Sequence, residues 1–349
     1  MGKATPLRIL YGVQATGQGH ITRARSLGPA LIEKGAQVDF LFSGRSKEKL
    51  FAMEPFGDFK VKRGLTFHFN DGRVSPYQTF INNNILELIN DIKEVDLSCY
   101  DLVLTDYEPI TAWVAKLRKK PSIGIGHQYA FYHDIPMTGF TKLTLAAMRY
   151  FAPAKTSLGN HWDHFGHQII PPMVPLPDIS KGTIPKKIVV YLYFEDQKKL
   201  ANILKNFSDF QFYIYSPDTK NPSHDLNLHF LPVSEKFKDD VENCEGVICG
   251  AGFELPTEVI HLGKKLLVKA MKSQPEQASN SLAIKQLGLG RVMEILSEDI
   301  IANWLISSRN VQIQFPDTAQ YVAEWILKGD WSNTESLVRE LWEKTLKHE

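Results

Sequence analysis

Residues 250–258 of this chain read GAGFELPTE, residues 263–268 read GKKLLV and residues 276–280 read EQASN. The run contains, in order, a glycine turn that opens a helix, an acid six residues beyond Gly252, a second strand and a polar pair that opens another helix. Amides at a helix start favour a diphosphate, while carboxylate and amide side chains suit ribose and sugar hydroxyls. The order of these groups therefore indicates a nucleotide-sugar site in an α/β domain.

Both halves of the chain alternate strand-like and helix-like runs. Helical spacing of apolar residues occurs, for example, over residues 21–34 and 197–205. The β-rich apolar runs lie at residues 7–13, 38–42, 102–106, 121–125, 188–193, 212–215, 228–231, 246–249 and 266–268. This alternation predicts two Rossmann-like α/β domains with doubly wound parallel sheets, whose binding loops open onto a cleft between the facing domains.

The domain boundary is predicted at the proline-rich segment 171–177, PPMVPLP, which cannot sustain a helix and is typical of a stiff linker. We therefore expect an N-terminal, acceptor-binding domain over residues 1–175 and a C-terminal, donor-binding domain over residues 176–330. The segment after residue 330 is predicted to be a helix with one buried face. Its apolar residues at approximate helical spacing are Leu337, Val338, Leu341, Trp342 and Leu346.

The composition limits the function. A chain of 349 residues with 43% hydrophobic and 23% charged content suits two globular domains, and a formal net charge of +1 gives no overall field for nucleic acid. The chain has no run of about 18 uncharged apolar residues and too short an apolar start for a signal peptide, so a soluble cytoplasmic protein is expected. Cys99, Cys244 and Cys249 lack paired metal-ligand spacing and are interpreted as reduced core thiols.

Three regions of the sequence together resemble one family. The motif GQGH at residues 17–20, Asp106 at a strand end and residues 252–277 are similar to the metal-independent, two-domain (GT-B) nucleotide-sugar glycosyltransferases. These include the bacterial lipid I N-acetylglucosaminyltransferase, the UDP-glycosyltransferases and their uncharacterised bacterial and archaeal relatives. The resemblance covers most of the chain and implies inverting sugar transfer, with UDP as the preferred nucleotide and no metal or other cofactor. It also implies that residues 331–349 cross back to the first domain.

His20 is the candidate catalytic base. It follows the first strand, where a side chain faces the predicted cleft, and an imidazole accepts a hydroxyl proton near neutral pH. Asp106 ends a predicted buried strand, so its carboxylate needs a partner, and a hydrogen bond to His20 would orient the base. The alternatives are a phosphate-binding or capping role for His20 and a capping role for Asp106 at the helix that begins near Pro109.

Four residues are candidates for binding the acceptor. Gly17 and Gly19 are small enough for backbone amides to approach an acceptor, and His127 and Gln128 follow a predicted strand on the same side of the sheet. The spacing of Gly12, Gly17 and Gly19 does not match a dinucleotide fingerprint. Arg23 and Arg25, in the helix that follows, are interpreted as exposed helix residues.

The donor residues come from the motifs of the second half. The resemblance implies a ribose contact for Glu258, sugar contacts for Glu276 and Gln277 with support from Asn280, and backbone reading of the base by Val233 and Ser234. The diphosphate is expected at the helix start, at Gly250, Ala251, Gly252 and Phe253. Two departures stand out: Gly250 occupies a position where many relatives have histidine, and residues 193–195 (YFE) replace a glycine-rich loop.

Several alternatives stay open at this stage. The cluster His161, His164 and His167 lacks an acid-rich frame and is interpreted as structural, so no metal is assigned. Residues 142–151 predict either a helix that rests on an anionic membrane or a buried core helix. The acceptor is a glycan, including a cell-envelope glycan, a glycolipid or a small molecule, and the oligomeric state is not determined. A nucleotide-sugar hydrolase, a 2-epimerase and a nonenzymatic sensor are the competing functions.

Overall fold

The computed structural model describes residues 5–65, 69–70, 73–74, 84–307 and 311–348. The outermost residues of the predicted ranges 1–175 and 331–349 lie outside this described part. Within it the chain forms two compact units. The first unit comprises Met1–Ile135, Phe140–Pro175 and Pro316–Thr345, and the second comprises Pro136–Gly139, Leu176–Phe315 and Leu346–Glu349.

The first unit is built on a parallel sheet of seven strands in the order β3-β2-β1-β6-β7-β8-β9. Its strands are β1 (Arg8–Gln14), β2 (Gln37–Ser43), β3 (Phe59–Lys62), β6 (Leu102–Asp106), β7 (Ser122–Gly126), β8 (Thr156–Asn160) and β9 (Ile169–Ile170), with β4 (Phe69–Asn70) and β5 (Arg73–Val74) as a separate antiparallel pair. Its helices are α1 (Gln18–Glu33), α2 (Ile85–Glu94), α3 (Pro109–Leu117), α4 (His127–Ala130), α5 (Lys142–Phe151), α11 (Thr318–Lys328) and α12 (Thr334–Glu343).

The second unit has its own seven-stranded sheet in the order β12-β13-β11-β10-β14-β15-β16. All neighbouring strands in it are parallel except β12 and β13. The strands are β10 (Lys187–Tyr191), β11 (Gln211–Ser216), β12 (Ser223–Asp225), β13 (Leu228–Pro232), β14 (Gly246–Gly250), β15 (Lys265–Lys269) and β16 (Arg291–Val292), with β17 (Gln312–Gln314) and β18 (Leu346–His348) as an antiparallel pair. The helices are α6 (Gln197–Leu204), α7 (Glu235–Asn243), α8 (Glu254–His261), α9 (Pro275–Gln286) and α10 (Glu298–Leu305).

Each sheet has a point at which the strand order reverses. In the first sheet β1 lies between β2 and β6, with Val13 opposite Asp106, and in the second β10 lies between β11 and β14, with Tyr191 opposite Cys249. Ligands of doubly wound folds bind outside the carboxyl ends of the strands at such points. The two sheets therefore confirm the predicted doubly wound α/β domains.

The returning C-terminal segment differs from its prediction in extent. It begins at Pro316 and contributes two helices to the first unit, where Val322, Leu337 and Leu341 are buried in the same core as the β1 side chains. The helix predicted up to His348 ends at Glu343, and the last residues form β18 in the second unit. Leu346 is 53% exposed, because it lies on this strand and not on the buried face of α12.

Burial also excludes one of the two interpretations of residues 142–151 and corrects the expectation for one cysteine. Helix α5 is not a core helix, since only Phe151 on it is buried and Leu143 is 79% exposed. Cys99 is exposed, so only Cys244 and Cys249 are core thiols. In the part of the chain that the structure describes, no helix is long and apolar enough to cross a bilayer.

Candidate functional site

His20 and Asp106 meet at the switch point of the first sheet. Helix α1 begins at Gln18, so His20 lies in its first turn, and Asp106 is the last residue of the neighbouring strand β6. The Nδ1 atom of His20 lies 2.6 Å from Oδ1 of Asp106, and the side chains are 12% and 0% exposed. Because a carboxylate only accepts hydrogen bonds, Nδ1–H is the donor, and Nε2 is the nitrogen that can take a proton.

Arg23 completes this network, and the sequence-based interpretation of it as an exposed residue is wrong. It is 1% exposed, and its Nε and Nη2 donate to the two carboxylate oxygens of Asp106 at 2.7 and 3.0 Å. Burial alone would raise the pKa of the Asp106 carboxyl, but Arg23 and His20 hold it below its usual range. The signal that could have found Arg23 is its position three residues after His20, on the same face of a helix.

The two residues that follow Asp106 have a strained backbone and a capping role respectively. Glu108, not Asp106, caps helix α3, since its carboxylate accepts from the amides of Ile110 and Thr111 at 2.9 and 2.7 Å. The capping alternative for Asp106 is therefore removed. Tyr107 adopts a left-handed backbone with φ of 55°, and its ring stacks near the His20 ring at a centroid distance of 6.4 Å. Such strain in a non-glycine residue is typical of functional sites.

The candidate acceptor residues separate into two groups. Gly17 is the N-cap of α1 and Gly19 lies in its first turn, and both are partly exposed beside His20. His127 is 1% exposed and donates from Nδ1 to the carbonyl oxygen of Asn160 at 2.9 Å, whereas Gln128 is partly exposed. Gln128 is thus the more accessible member of this pair, and His127 is buried, contrary to the expectation that its side chain is exposed to a ligand.

The start of α8 carries the glycine turn of the second unit. Gly250 ends β14, Phe253 is the N-cap and offers no side-chain cap, and a Cβ at Gly252 would have nothing within 4 Å. Ala251 is fully buried. At Gly250 a Cβ would lie 3.1 Å from the ring of Phe194, so the loop after β10 fills the place that a larger side chain would need. The helix N-terminus therefore has an open approach at Gly252.

The other candidate donor residues surround this helix. Glu258 lies one turn into α8 and is partly buried, and burial raises the pKa of its carboxyl to about 7. Gln277 accepts from the amide of Met271 at 2.8 Å, and Asn280, fully buried, donates to the carbonyl oxygen of Ala251 at 3.1 Å. Asn280 thus braces the glycine turn. Glu276 is partly exposed in the first turn of α9.

The base-reading candidates and the histidine cluster take simple local roles. Val233 is 48% exposed after β13, and Ser234 is the N-cap of α7. His161 and His164 each accept a hydrogen bond from a backbone amide through Nδ1, and His167 bonds the carbonyl oxygen of Asp134 through Nε2. Among the described residues, no group of three or more histidine, cysteine or acidic side chains is placed to hold a metal ion.

Solved structures of glycosyltransferases share this fold. A glycotransferase of kitacinnamycin has a TM-score of 0.63 at 12% identity, over 97% of this chain and 96% of that one. Acinetobacter baumannii MurG has a TM-score of 0.61 at 15% identity over 93% and 100%, and Arabidopsis thaliana UGT89C1, complexed with quercetin, has 0.61 at 14% over 97% and 100%. At these identities the likeness shows the two-domain GT-B fold.

Sequence comparison points in the same direction. UDP-glycosyltransferase 79B10 of Arabidopsis thaliana is 25% identical over 209 residues, which span 52% of this chain and 46% of that protein. This chain thus matches less than half the length of that relative. The family model described as glycosyl transferase family 1 matches residues 7–154 and 167–307, most of the chain. With its two doubly wound units and the polar network at the first switch point, the chain belongs to glycosyl transferase family 1.

Proposed function

We propose that the protein transfers a sugar from a UDP-sugar to an acceptor hydroxyl, with inversion and without a metal. The observation that carries this proposal is the hydrogen-bonded network of His20, Asp106 and Arg23 at the switch point of a family member. A base with a fixed tautomer and one nitrogen open for a proton is what the attack of a hydroxyl on a sugar requires.

In the proposed reaction Nε2 of His20 removes the acceptor proton as the hydroxyl oxygen forms its bond to the anomeric carbon. The bond from that carbon to the nucleoside diphosphate oxygen breaks on the opposite face, so the configuration inverts. Asp106 accepts from Nδ1–H throughout and stabilises the imidazolium that forms. Arg23 keeps the Asp106 carboxylate ionised and in place, because it bonds both of its oxygens.

On the donor side we propose that the start of α8 meets the diphosphate and that Glu258 meets the ribose hydroxyls. The open space at Gly252 and the helix dipole support the first role. A partly buried carboxylate without a hydrogen-bond donor among the described residues supports the second, since ribose hydroxyls would supply donors. Glu276 and Gln277 are proposed to hold the sugar.

The proposal also extends to the class of acceptor. Helix α5 begins at the exposed Lys142 and exposes 79% of Leu143 and 63% of Tyr150, which favours an acceptor presented at an anionic membrane surface, such as a glycolipid. Flotation with vesicles that contain anionic lipid, compared with neutral vesicles, tests this point. Equal and negligible binding to both would favour a glycan or small-molecule acceptor.

The central experiment is a calorimetric panel of UDP, GDP, dTDP and UMP on the full chain. We expect UDP to bind most tightly, and no binding by any nucleotide at millimolar concentration would contradict the proposal. Incubation with donor alone separates transfer from the competing activities, because rapid release of free sugar or of an epimer without acceptor would indicate a hydrolase or a 2-epimerase.

A further inference from the structure

The sheet of the second unit contains three buried lysines with different hydrogen bonding. Lys187 is 5% exposed, Lys265 is 9% exposed and Lys269 is 2% exposed. The ammonium of Lys187 donates to Asp240 and Asn243, and that of Lys265 donates to Glu245 and to the carbonyl oxygen of Leu305. The ammonium of Lys269 donates only to Oε1 of Glu195, at 2.5 Å, among the described residues.

An ammonium group has three N–H donors, so the incomplete bonding of Lys269 is unusual at this depth. Burying a charge costs free energy that one ion pair seldom returns, and the unused donors add to that cost. The ring of Phe194 lies 5.7 Å from Nζ and offers a cation–π contact but no acceptor oxygen. Lys269 therefore carries two donors that a ligand oxygen could satisfy.

The three lysines also differ in which edge of the sheet they occupy. Lys187 begins β10 and Lys265 begins β15, whereas Lys269 ends β15 at the carboxyl edge, where ligands of doubly wound folds bind. Lys269 is the register partner of Gly250, and its carbonyl oxygen accepts from the amide of Ala251. Its backbone therefore adjoins the glycine turn that leads into α8.

Few groups at the turn itself offset the charge of a diphosphate. Helix α8 carries an acidic residue, Glu254, in its first turn, and Pro256 has no amide hydrogen to donate. Position 250 is glycine and the loop after β10 carries Phe194 and Glu195, so neither supplies a positive charge. The side chain of Lys269, which lies against the Phe194 ring, supplies a positive charge beside the turn.

We propose that Lys269 binds the diphosphate of the nucleotide-sugar donor and balances the charge of the leaving group. This inference rests on the proposed function. Glu195 holds the ammonium in place in the unliganded protein, and phosphate oxygens accept from the two N–H groups that Glu195 leaves unused. The ion pair of Lys269 and Glu195 thus forms part of the donor-binding site and does not only stabilise the fold.

The test compares Lys269→Met with Lys265→Met in the full chain. Both variants remove a buried lysine from β15 that is paired with a glutamate, but only Lys269 lies at the carboxyl edge. We expect Lys269→Met to weaken UDP binding by about tenfold to a hundredfold, the range for charge-assisted hydrogen bonds, and to leave uridine binding unchanged. Calorimetry gives the UDP affinity, and displacement gives that of uridine.

Lys265→Met is expected to leave both affinities unchanged even where it lowers the melting temperature. Equal UDP affinity in wild type and Lys269→Met would overturn the role of Lys269 while leaving the donor assignment intact. Absence of UDP binding to the wild type would instead overturn the proposed function, and this inference with it.

A second variant serves if Lys269→Met fails to fold. Glu195→Gln removes a negative charge that repels the phosphate and offsets the charge of the ammonium, so we expect it to bind UDP more tightly than the wild type and to gain more melting temperature on UDP addition. Unchanged or weaker UDP binding by a folded Glu195→Gln would overturn the inference.

Discussion

At the carboxyl end of the first sheet three charged or polar side chains bond one another, whereas at the carboxyl end of the second sheet two charged side chains keep unused hydrogen-bonding capacity among the described residues. His20, Asp106 and Arg23 bond one another directly. In contrast, burial raises the pKa of the Glu258 carboxyl. The ammonium of Lys269 has two N–H groups that find no acceptor among the described residues. A base must be oriented before its substrate arrives, while a binding site gains affinity when the ligand itself completes the bonding.

The largest effect is expected from removal of the candidate base, His20. We expect His20→Ala to lower kcat/KM for transfer by about a hundredfold to ten-thousandfold, the usual contribution of a general base, with UDP affinity unchanged. Product formation under donor-saturating conditions and UDP calorimetry measure the two effects. A variant that keeps full transfer activity would remove His20 from the mechanism.

Removing the charge of Asp106 tests whether its ionised carboxylate, bonded to His20 and Arg23, stabilises the folded protein. We expect Asp106→Asn to lower the free energy of unfolding at pH 7 by about 3 kcal/mol, because Arg23 would lose its buried partner. The pKa of Asp106 is lowered in the folded state, so its stabilisation is present above the unfolded value and is lost as the pH falls through the folded value. The difference in the free energy of unfolding between the wild type and Asp106→Asn should therefore vanish at a pH below the folded-state pKa of Asp106.

Urea unfolding at several pH values measures this effect. Asp101→Asn is the matched control, since Asp101 lies just before the same strand and accepts from the amide of Arg8 at the surface. A loss of stability that does not depend on pH would argue against an ionised, paired Asp106.

Glu258 should show the opposite pH dependence. Its pKa is raised from 4.5 to about 7 in the folded state, so the ionised group costs stability that accumulates as the pH rises through this window. We expect Glu258→Gln to raise the free energy of unfolding at pH 8 by up to about 3 kcal/mol, to leave it unchanged at pH 4, and to weaken UDP binding. Glu235→Gln, at an exposed position in α7, is the control.

The sign of the stability change decides the outcome for Glu258. A Glu258→Gln variant that is less stable than the wild type at pH 8 would mean that a protein group stabilises the Glu258 carboxylate. Glu258 would then be bonded within the protein, as Asp106 is.

The returning helices give a prediction confined to the first unit. Leu341 on α12 is fully buried in its core, and we expect Leu341→Ala to lower the free energy of unfolding by about 2–5 kcal/mol. Leu346→Ala is the control, because Leu346 is 53% exposed on β18 and should change stability by less than about 0.5 kcal/mol. Equal effects in chemical denaturation would contradict the observed end of the helix at Glu343.

The smallest expected effect concerns metal. With the donor charge balanced by the helix start and Lys269, we expect EDTA to change turnover by less than about twofold, a difference below 0.5 kcal/mol. Loss of activity on chelation, restored by a divalent cation, would show that a metal ion, and not the protein alone, balances the charge of the donor diphosphate.

Much of the fold could be predicted because it depends on local patterns. The apolar runs at β6, β14 and β15 gave those strands to within a residue, since a buried parallel strand needs an uninterrupted apolar stretch. The end of α12 was missed because Leu346 continues the helical spacing of apolar residues, and only its pairing with Gln314 in β17 fixes it as a strand residue.

The candidate site divides in the same manner. His20 and Asp106 were found because each follows a recognisable strand, and the structure brings them within hydrogen-bonding distance. Arg23 and Lys269 were missed because a charged residue in a helix or at a strand end is usually exposed, and burial depends on what packs against it. His127 was misjudged for the converse reason, since a polar residue at a strand end is covered here by Phe131 and His161.

The sequence by itself determined the central strands of both sheets in their order, the two α/β units and the residues at those strand ends, because these follow from local periodicity and from the chemistry of single side chains. Only the tertiary structure decided which charges pair, which histidine is buried, and that both oxygens of Asp106 are hydrogen-bonded while the ammonium of Lys269 makes one hydrogen bond among the described residues. The physical reason is that hydrogen bonding and desolvation depend on neighbours distant in sequence, such as Asp106 from Arg23 and Glu195 from Lys269, and local patterns do not encode those distances.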